Sequence, residues 1–147
     1  MSAPLWNHEL TGATYQLYDS EYLIEEPEQP GEASLLCLSC HDGTVALDSY
    51  GGNHGATFIE GDALIGTDLS DDHPIGIAWT HQYRGSNCRG CHGSGHHGGG
   101  LFDFVTPFYD GKVECMSCHE PHNSENEPFM LRMSNAGSAM CLVCHPV

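Results

Sequence analysis

All eight cysteines of this chain of 147 residues fall in Cys-x-x-Cys-His motifs, and there are four such motifs. They read Cys37-Leu38-Ser39-Cys40-His41, Cys88-Arg89-Gly90-Cys91-His92, Cys115-Met116-Ser117-Cys118-His119 and Cys141-Leu142-Val143-Cys144-His145. This spacing marks covalent attachment of c-type haem. Two thiols add across the two vinyl groups of one porphyrin, and the adjoining histidine reaches the iron from the proximal side. Four haem c groups are therefore expected, with His41, His92, His119 and His145 as proximal ligands.

Other uses of paired cysteines explain less. Cys115/Cys118 and Cys141/Cys144 are separated by about the loop a zinc ribbon uses. A zinc site, however, does not require a histidine directly after each second cysteine. Histidine is only 11 of the 147 residues, so four such placements are a poor coincidence. A thioredoxin-like redox pair needs one motif on a βαβ frame, and a disulfide framework leaves the histidines unexplained.

Haem density then sets the fold class. At roughly one haem per 37 residues, the chain is too short to build an ordinary apolar core. The expected architecture is mostly irregular coil with short helices, wrapped around four covalently bound haems. One tetrahaem domain spanning residues 1–147 is the default at this length. The 18 Gly and 8 Pro predict many turns and little sheet. The motifs are unevenly spaced, 51 residues from Cys37 to Cys88 and then 27 and 26. A short helix is expected over Pro30–Leu36, leading into the first motif. Another is expected at Ser138-Ala139-Met140, with Ser138 as N-cap and Pro146 as a stop. Pro107, Pro121 and Pro128 break the stretch between, and Gly93–Gly100 reads as a loop. Lys112-Val113-Glu114 is too short to assign.

Charge narrows the partners. Twenty acidic residues face four basic ones, Arg84, Arg89, Lys112 and Arg132, for a formal net charge of −16. That excludes nucleic acid as a natural partner and argues against anionic membrane surfaces. A docking partner, another redox protein, should be basic where it touches, with association slowed by salt. The same acidity would also serve simply to keep a haem-rich surface soluble. No apolar run reaches the length of a membrane span. Met1-Ser2-Ala3-Pro4 has neither a basic n-region nor an apolar h-region. Haem attachment takes place outside the cytoplasm, so a form with its signal segment removed is expected, in the periplasm or outside the cell.

Seven histidines lie outside the motifs: His8, His54, His73, His81, His96, His97 and His122. Four bis-histidine haems need four of them, so supply exceeds demand. Methionine sulfur is an alternative sixth ligand that would raise the potential. With spare histidines present, the five methionines read better as packing. Asp68, Asp71 and Asp72 do not have the spacing of an EF-hand loop and read as a solvated turn.

Longer segments carry a resemblance. Trp6-Asn7-His8 with Thr11-Gly12-Ala13-Thr14-Tyr15, the run Cys37 to Ala46, and Asp72-His73-Pro74-Ile75 resemble secreted multihaem c-type cytochromes of metal- and mineral-respiring prokaryotes. So does Cys118-His119-Glu120-Pro121-His122-Asn123, continuing to Leu131-Arg132-Met133-Ser134-Asn135. The resemblance covers roughly residues 4–76 and 101–147 and is most specific at the His-x-Pro-His and Asp-His-Pro elements. It implies that His8, His73 and His122 are distal ligands. His122 lies too close to His119 to reach the opposite face of the same iron, so it would serve an adjacent haem, with Pro121 stiffening the bridge. Pro74 keeps His73 extended, while Trp6 and Tyr15 would pin His8. Residues from about Trp79 to Gly100 depart from the pattern and read as an insertion adding the second haem. Its distal ligand is expected from His81, or from the His96-His97 pair with His97 the second choice, or from another subunit. His54 reads as a loop histidine.

Iron saturated by two imidazoles stores and passes electrons without binding substrate, so electron transfer is expected rather than enzymatic turnover. The resemblance favours a homopolymer subunit, similar to extracellular cytochrome nanowires, over a discrete soluble periplasmic shuttle. Head-to-tail contacts that do not close would produce such a filament. A haem reductase with one open iron is the remaining reading. It would need cationic groups around its anion, and only Arg84 and Arg89 lie near one motif.

Overall fold

The computed structural model describes residues 7–23, 25–79 and 108–145. Among them the regular elements are few and short. Helix α1 spans Glu32–His41, α2 spans Cys115–Cys118 and α3 spans Ala139–Cys144. Strand β1 (Ile77–Ala78) pairs with β2 (Lys112–Val113) in one small sheet. Three 3-10 turns, Gly61–Ala63, Pro128–Met130 and Ala136–Ser138, complete the set. Everything else is turn or irregular chain, as the Gly and Pro content led us to expect. The chain divides into two compact units, Met1–Ile77 and Ala78–Val147.

In the first unit α1 is both scaffold and carrier. Gly31 sits at its N-cap in extended conformation, so the helix begins at Glu32 rather than at the expected Pro30 and runs through the whole first motif. One side of α1 is packed: Leu38 is 1% exposed and clusters with Tyr15 and Leu69. Ala13, Leu17, Leu35 and Ile75 close around that cluster. The packing is pinned by polar groups. Thr11 N–H donates to Ser39 Oγ at 3.0 Å, and Ser39 Oγ–H donates to the Leu35 carbonyl at 2.6 Å. Tyr15 Oη–H donates to Asp42 at 2.6 Å, just past the helix end.

The second unit opens on the small sheet, where Trp79 N–H donates to the Gly111 carbonyl at 2.8 Å and the Trp79 ring stacks on Phe108. The segment left unassigned from sequence, Lys112–Val113, is thus a strand. Glu114 N–H donates to Ser117 Oγ at 3.0 Å, tying off the start of α2. At α3 the expected Ser138 cap needs correction. Ser138 does occupy the N-cap position, but in left-handed conformation (φ 63°) and with no capping bond from its side chain. Asn135 Oδ1 instead accepts Met140 N–H at 3.2 Å. An Asn reaching over a preceding 3-10 turn satisfies one of the helix's orphan donors in place of the serine.

Candidate haem-attachment sites

Three of the four motifs lie within the described residues, and each is one helical turn. Cysteines three residues apart share a helix face, which places Cys37 with Cys40, Cys115 with Cys118 and Cys141 with Cys144. The histidine follows where the helix ends. His41 is the last residue of α1, while His119 and His145 are the C-caps of α2 and α3. His119 N–H donates to the Cys115 carbonyl at 3.0 Å and His145 N–H to the Cys141 carbonyl at 2.8 Å, so the turn closes over each motif. All six of these cysteines are thiols, none joined in a disulfide. Burial pushes the Cys40 thiol up, with Asp42 adding to it. Burial also raises Cys118, reinforced by Cys115 and Cys141 and opposed by Arg132. Thiols paired on one helical face meet the requirement for two thioether bonds to one porphyrin.

Two of the motif histidines are held through Nδ1 by backbone carbonyls. His41 Nδ1 lies 2.7 Å from the Ala63 carbonyl, and His119 Nδ1 lies 2.9 Å from the Phe129 carbonyl. A carbonyl only accepts, so in both rings Nδ1 carries the proton and Nε2 is the basic nitrogen. The apolar surroundings also suit a porphyrin. Leu36, Leu64, Ile65, Phe129, Met130 and Leu142 are exposed, and each stands beside a motif or beside a carbonyl that holds its histidine. Among the described residues only six hydrophobic side chains are buried: Tyr15, Leu38, Ala46, Leu69, Ile77 and Met140. The residues present therefore fit covalent haem c, whose chemistry when bound is reversible one-electron storage.

The distal candidates are placed as follows. His8 is half-buried in the first unit, with Nδ1 2.7 Å from the Glu9 carbonyl and Nε2 3.0 Å from the Ala46 carbonyl. Its Nε2 also lies 3.6 Å from Cys40 Sγ, which brings it to the first motif. His73 is exposed, its Nδ1 3.1 Å from the Pro74 carbonyl. His122 is exposed as well, and its backbone N–H donates to Glu120 Oε1 at 2.9 Å. The other Glu120 oxygen accepts from Ser124 N–H and Oγ–H at 2.9 and 3.0 Å. These bonds hold the Glu120 carboxyl below its ordinary value, the Ser124 backbone contributing most. His54 lies on the surface with Nδ1 2.9 Å from Glu9. Cys88, Cys91, His92, His81, His96 and His97, with Arg84 and Arg89, lie outside the described residues.

Several contributors were not foreseen from sequence. The Ala63 and Phe129 carbonyls are backbone atoms, invisible to a search for chemical side chains. Glu120 shapes the turn that Pro121 alone was expected to set. Arg132 clasps the third motif, its Nε donating to the Met116 carbonyl at 2.7 Å and its N–H to the Cys118 carbonyl at 2.9 Å. The Asp68 turn is as expected, with Oδ1 accepting from Ser70 N–H and Oγ–H. Among the described residues no three His, Cys, Asp or Glu side chains gather as a metal-ion site.

Comparison with known families agrees with this geometry. Residues 106–147, which hold the third and fourth motifs, match the family model described as a doubled CXXCH motif. The doubled motif indicates a c-type multihaem cytochrome. No curated protein gives a significant match to the chain. For such a cytochrome the motifs indicate covalent haem c and a part in electron transfer. Among the described residues no helix is long and apolar enough to cross a membrane.

Proposed function

We propose that this chain transfers electrons through four bis-histidine c-type haems, as an exported subunit of an extracellular cytochrome filament. The observation that carries the haem reading is the shared construction of the three described motifs. Each is a single helical turn with its two cysteines three residues apart and its histidine at the helix end. The fourth attachment, by Cys88, Cys91 and His92, follows from the identity of its motif. His8, His73 and His122 are proposed as distal ligands, with His81 or His97 for the fourth iron. The filament reading draws on the resemblance to secreted cytochromes and on a fourth distal ligand that another subunit could supply in place of His81 or His97. The acidic surface favours a basic redox partner at whatever end of the conduit exchanges electrons.

Electron microscopy and mass spectrometry of haem-loaded protein from its native source test this together. The expected outcome is filaments of regular repeat built from chains four haems heavier than the polypeptide, with a wholly low-spin spectrum. Discrete particles near the monomer mass would instead make it a diffusing periplasmic shuttle. Carbon monoxide binding to the reduced protein would show an open iron and move the reading toward a reductase.

A further inference from the structure

Two motif histidines are held by one construction made twice from unrelated sequence. After the first motif, the 3-10 turn Gly61–Ala63 presents the Ala63 carbonyl to His41 Nδ1 at 2.7 Å. The chain then returns to the motif, where Ile65 and Gly66 N–H both donate to the His41 carbonyl at 2.7 and 3.2 Å. After the third motif, the turn Pro128–Met130 presents the Phe129 carbonyl to His119 Nδ1 at 2.9 Å. Here too the chain is stitched back: Glu120 N–H donates to the Met130 carbonyl at 2.7 Å, and Arg132 N–H to the Cys118 carbonyl at 2.9 Å.

The two turns differ in conformational cost. The first places Gly61 in the left-handed region, at φ 68°. The second places two residues with side chains there, Phe129 at φ 59° and Met130 at φ 57°. Such backbone is strained without glycine and persists where the surroundings enforce it. No protein side chain covers Phe129, which is 83% exposed. What the strained conformation achieves is the direction of the carbonyl.

We infer that Ala63 and Phe129 are positioning residues for the first and third irons. Their carbonyls fix the ring orientation and tautomer of His41 and His119. By accepting a hydrogen bond from Nδ1–H they also strengthen Nε2 as a donor and lower the midpoint potential of the haem it holds. This rests on the haem reading above.

Proline substitution can turn each carbonyl aside, because proline fixes its own φ at about −65° and drives the residue before it to extended backbone. Met130→Pro would redirect Phe129, and Leu64→Pro would redirect Ala63. In the haem-loaded protein each variant should raise one midpoint, a different one in each case, with the low-spin spectrum kept. Asn126→Gly relieves a left-handed residue of the same loop, at φ 54°, and should leave every midpoint at its wild-type value. Unmoved midpoints in both proline variants would overturn the inference. So would a shift with Asn126→Gly as large as with Met130→Pro. Should a proline variant fail to fold, proton exchange at the histidine rings of the unaltered holoprotein decides by NMR. Slow exchange of Nδ1–H in His41 and His119 is expected, and exchange as fast as in free imidazole would overturn it. A chain lacking covalent haem would overturn the functional reading itself, a result distinct from haem-loaded protein with unmoved midpoints.

Discussion

At the scale of single residues, Asp42 shows how a carboxylate is kept beside a motif histidine. It is 5% exposed. Burial alone would push its carboxyl up, but hydrogen bonds from Tyr15, Thr44 and Thr11 outweigh that and leave it below its ordinary value. Tyr15→Phe removes the 2.6 Å bond and should cost about 1.5–3 kcal/mol by denaturant unfolding at pH 7, the range for bonds to charged groups. A carboxyl lowered by folding stabilises the native state fully above its unfolded value of about 3.9, and that contribution is lost as pH falls through the lower folded value. The gap between wild type and Tyr15→Phe should therefore narrow in acid. His122 offers a second test at this scale. Its turn is fixed by Glu120, so His122→Ala should spare the fold while converting one haem to a high-spin spectrum with carbon monoxide binding.

Among the elements, α1 performs two tasks on opposite sides. Cys37, Cys40 and His41 belong to the site, while Leu38 and Ser39, the two variable positions of the same motif, face the core at 1% exposure each. Leu38→Ala should cost about 2–5 kcal/mol in thermal or denaturant unfolding, yet leave the mass of the haem-loaded chain short only of the side-chain atoms. Ser117 repeats the inward placement in the third motif, at 2% exposure. Gly76 ties the end of the first unit. It sits at φ 70°, where an added Cβ would lie 2.2 Å from the Glu28 carbonyl oxygen. Gly76→Ala should then destabilise by upwards of about 1 kcal/mol. The motifs, their helical turns and the predominance of irregular chain were legible in the sequence because each follows from short-range spacing. The inward face of the variable positions was not, since a Leu-Ser pair between cysteines carries no direction of its own. Nor was the cap at α3, where an Asn three residues upstream displaces the adjacent Ser through a turn that only the folded backbone defines.

For the whole molecule, charge and modularity matter most. With a formal net charge of −16, electron exchange with a basic redox protein should be steered at long range. Raising ionic strength from about 0.01 M to 0.15 M shortens the screening length from about 30 Å to 8 Å. The bimolecular rate measured by stopped flow should fall by about tenfold or more. A rate indifferent to salt would assign the acidity to solubility instead. The haem sites themselves are local affairs. The bonds that hold His41 and His119 span only 22 and 10 residues of sequence. A site closed over so short a stretch travels as a cassette. A rearrangement elsewhere in the chain would leave each turn and its histidine in register with one another, so either support can change without disturbing the other.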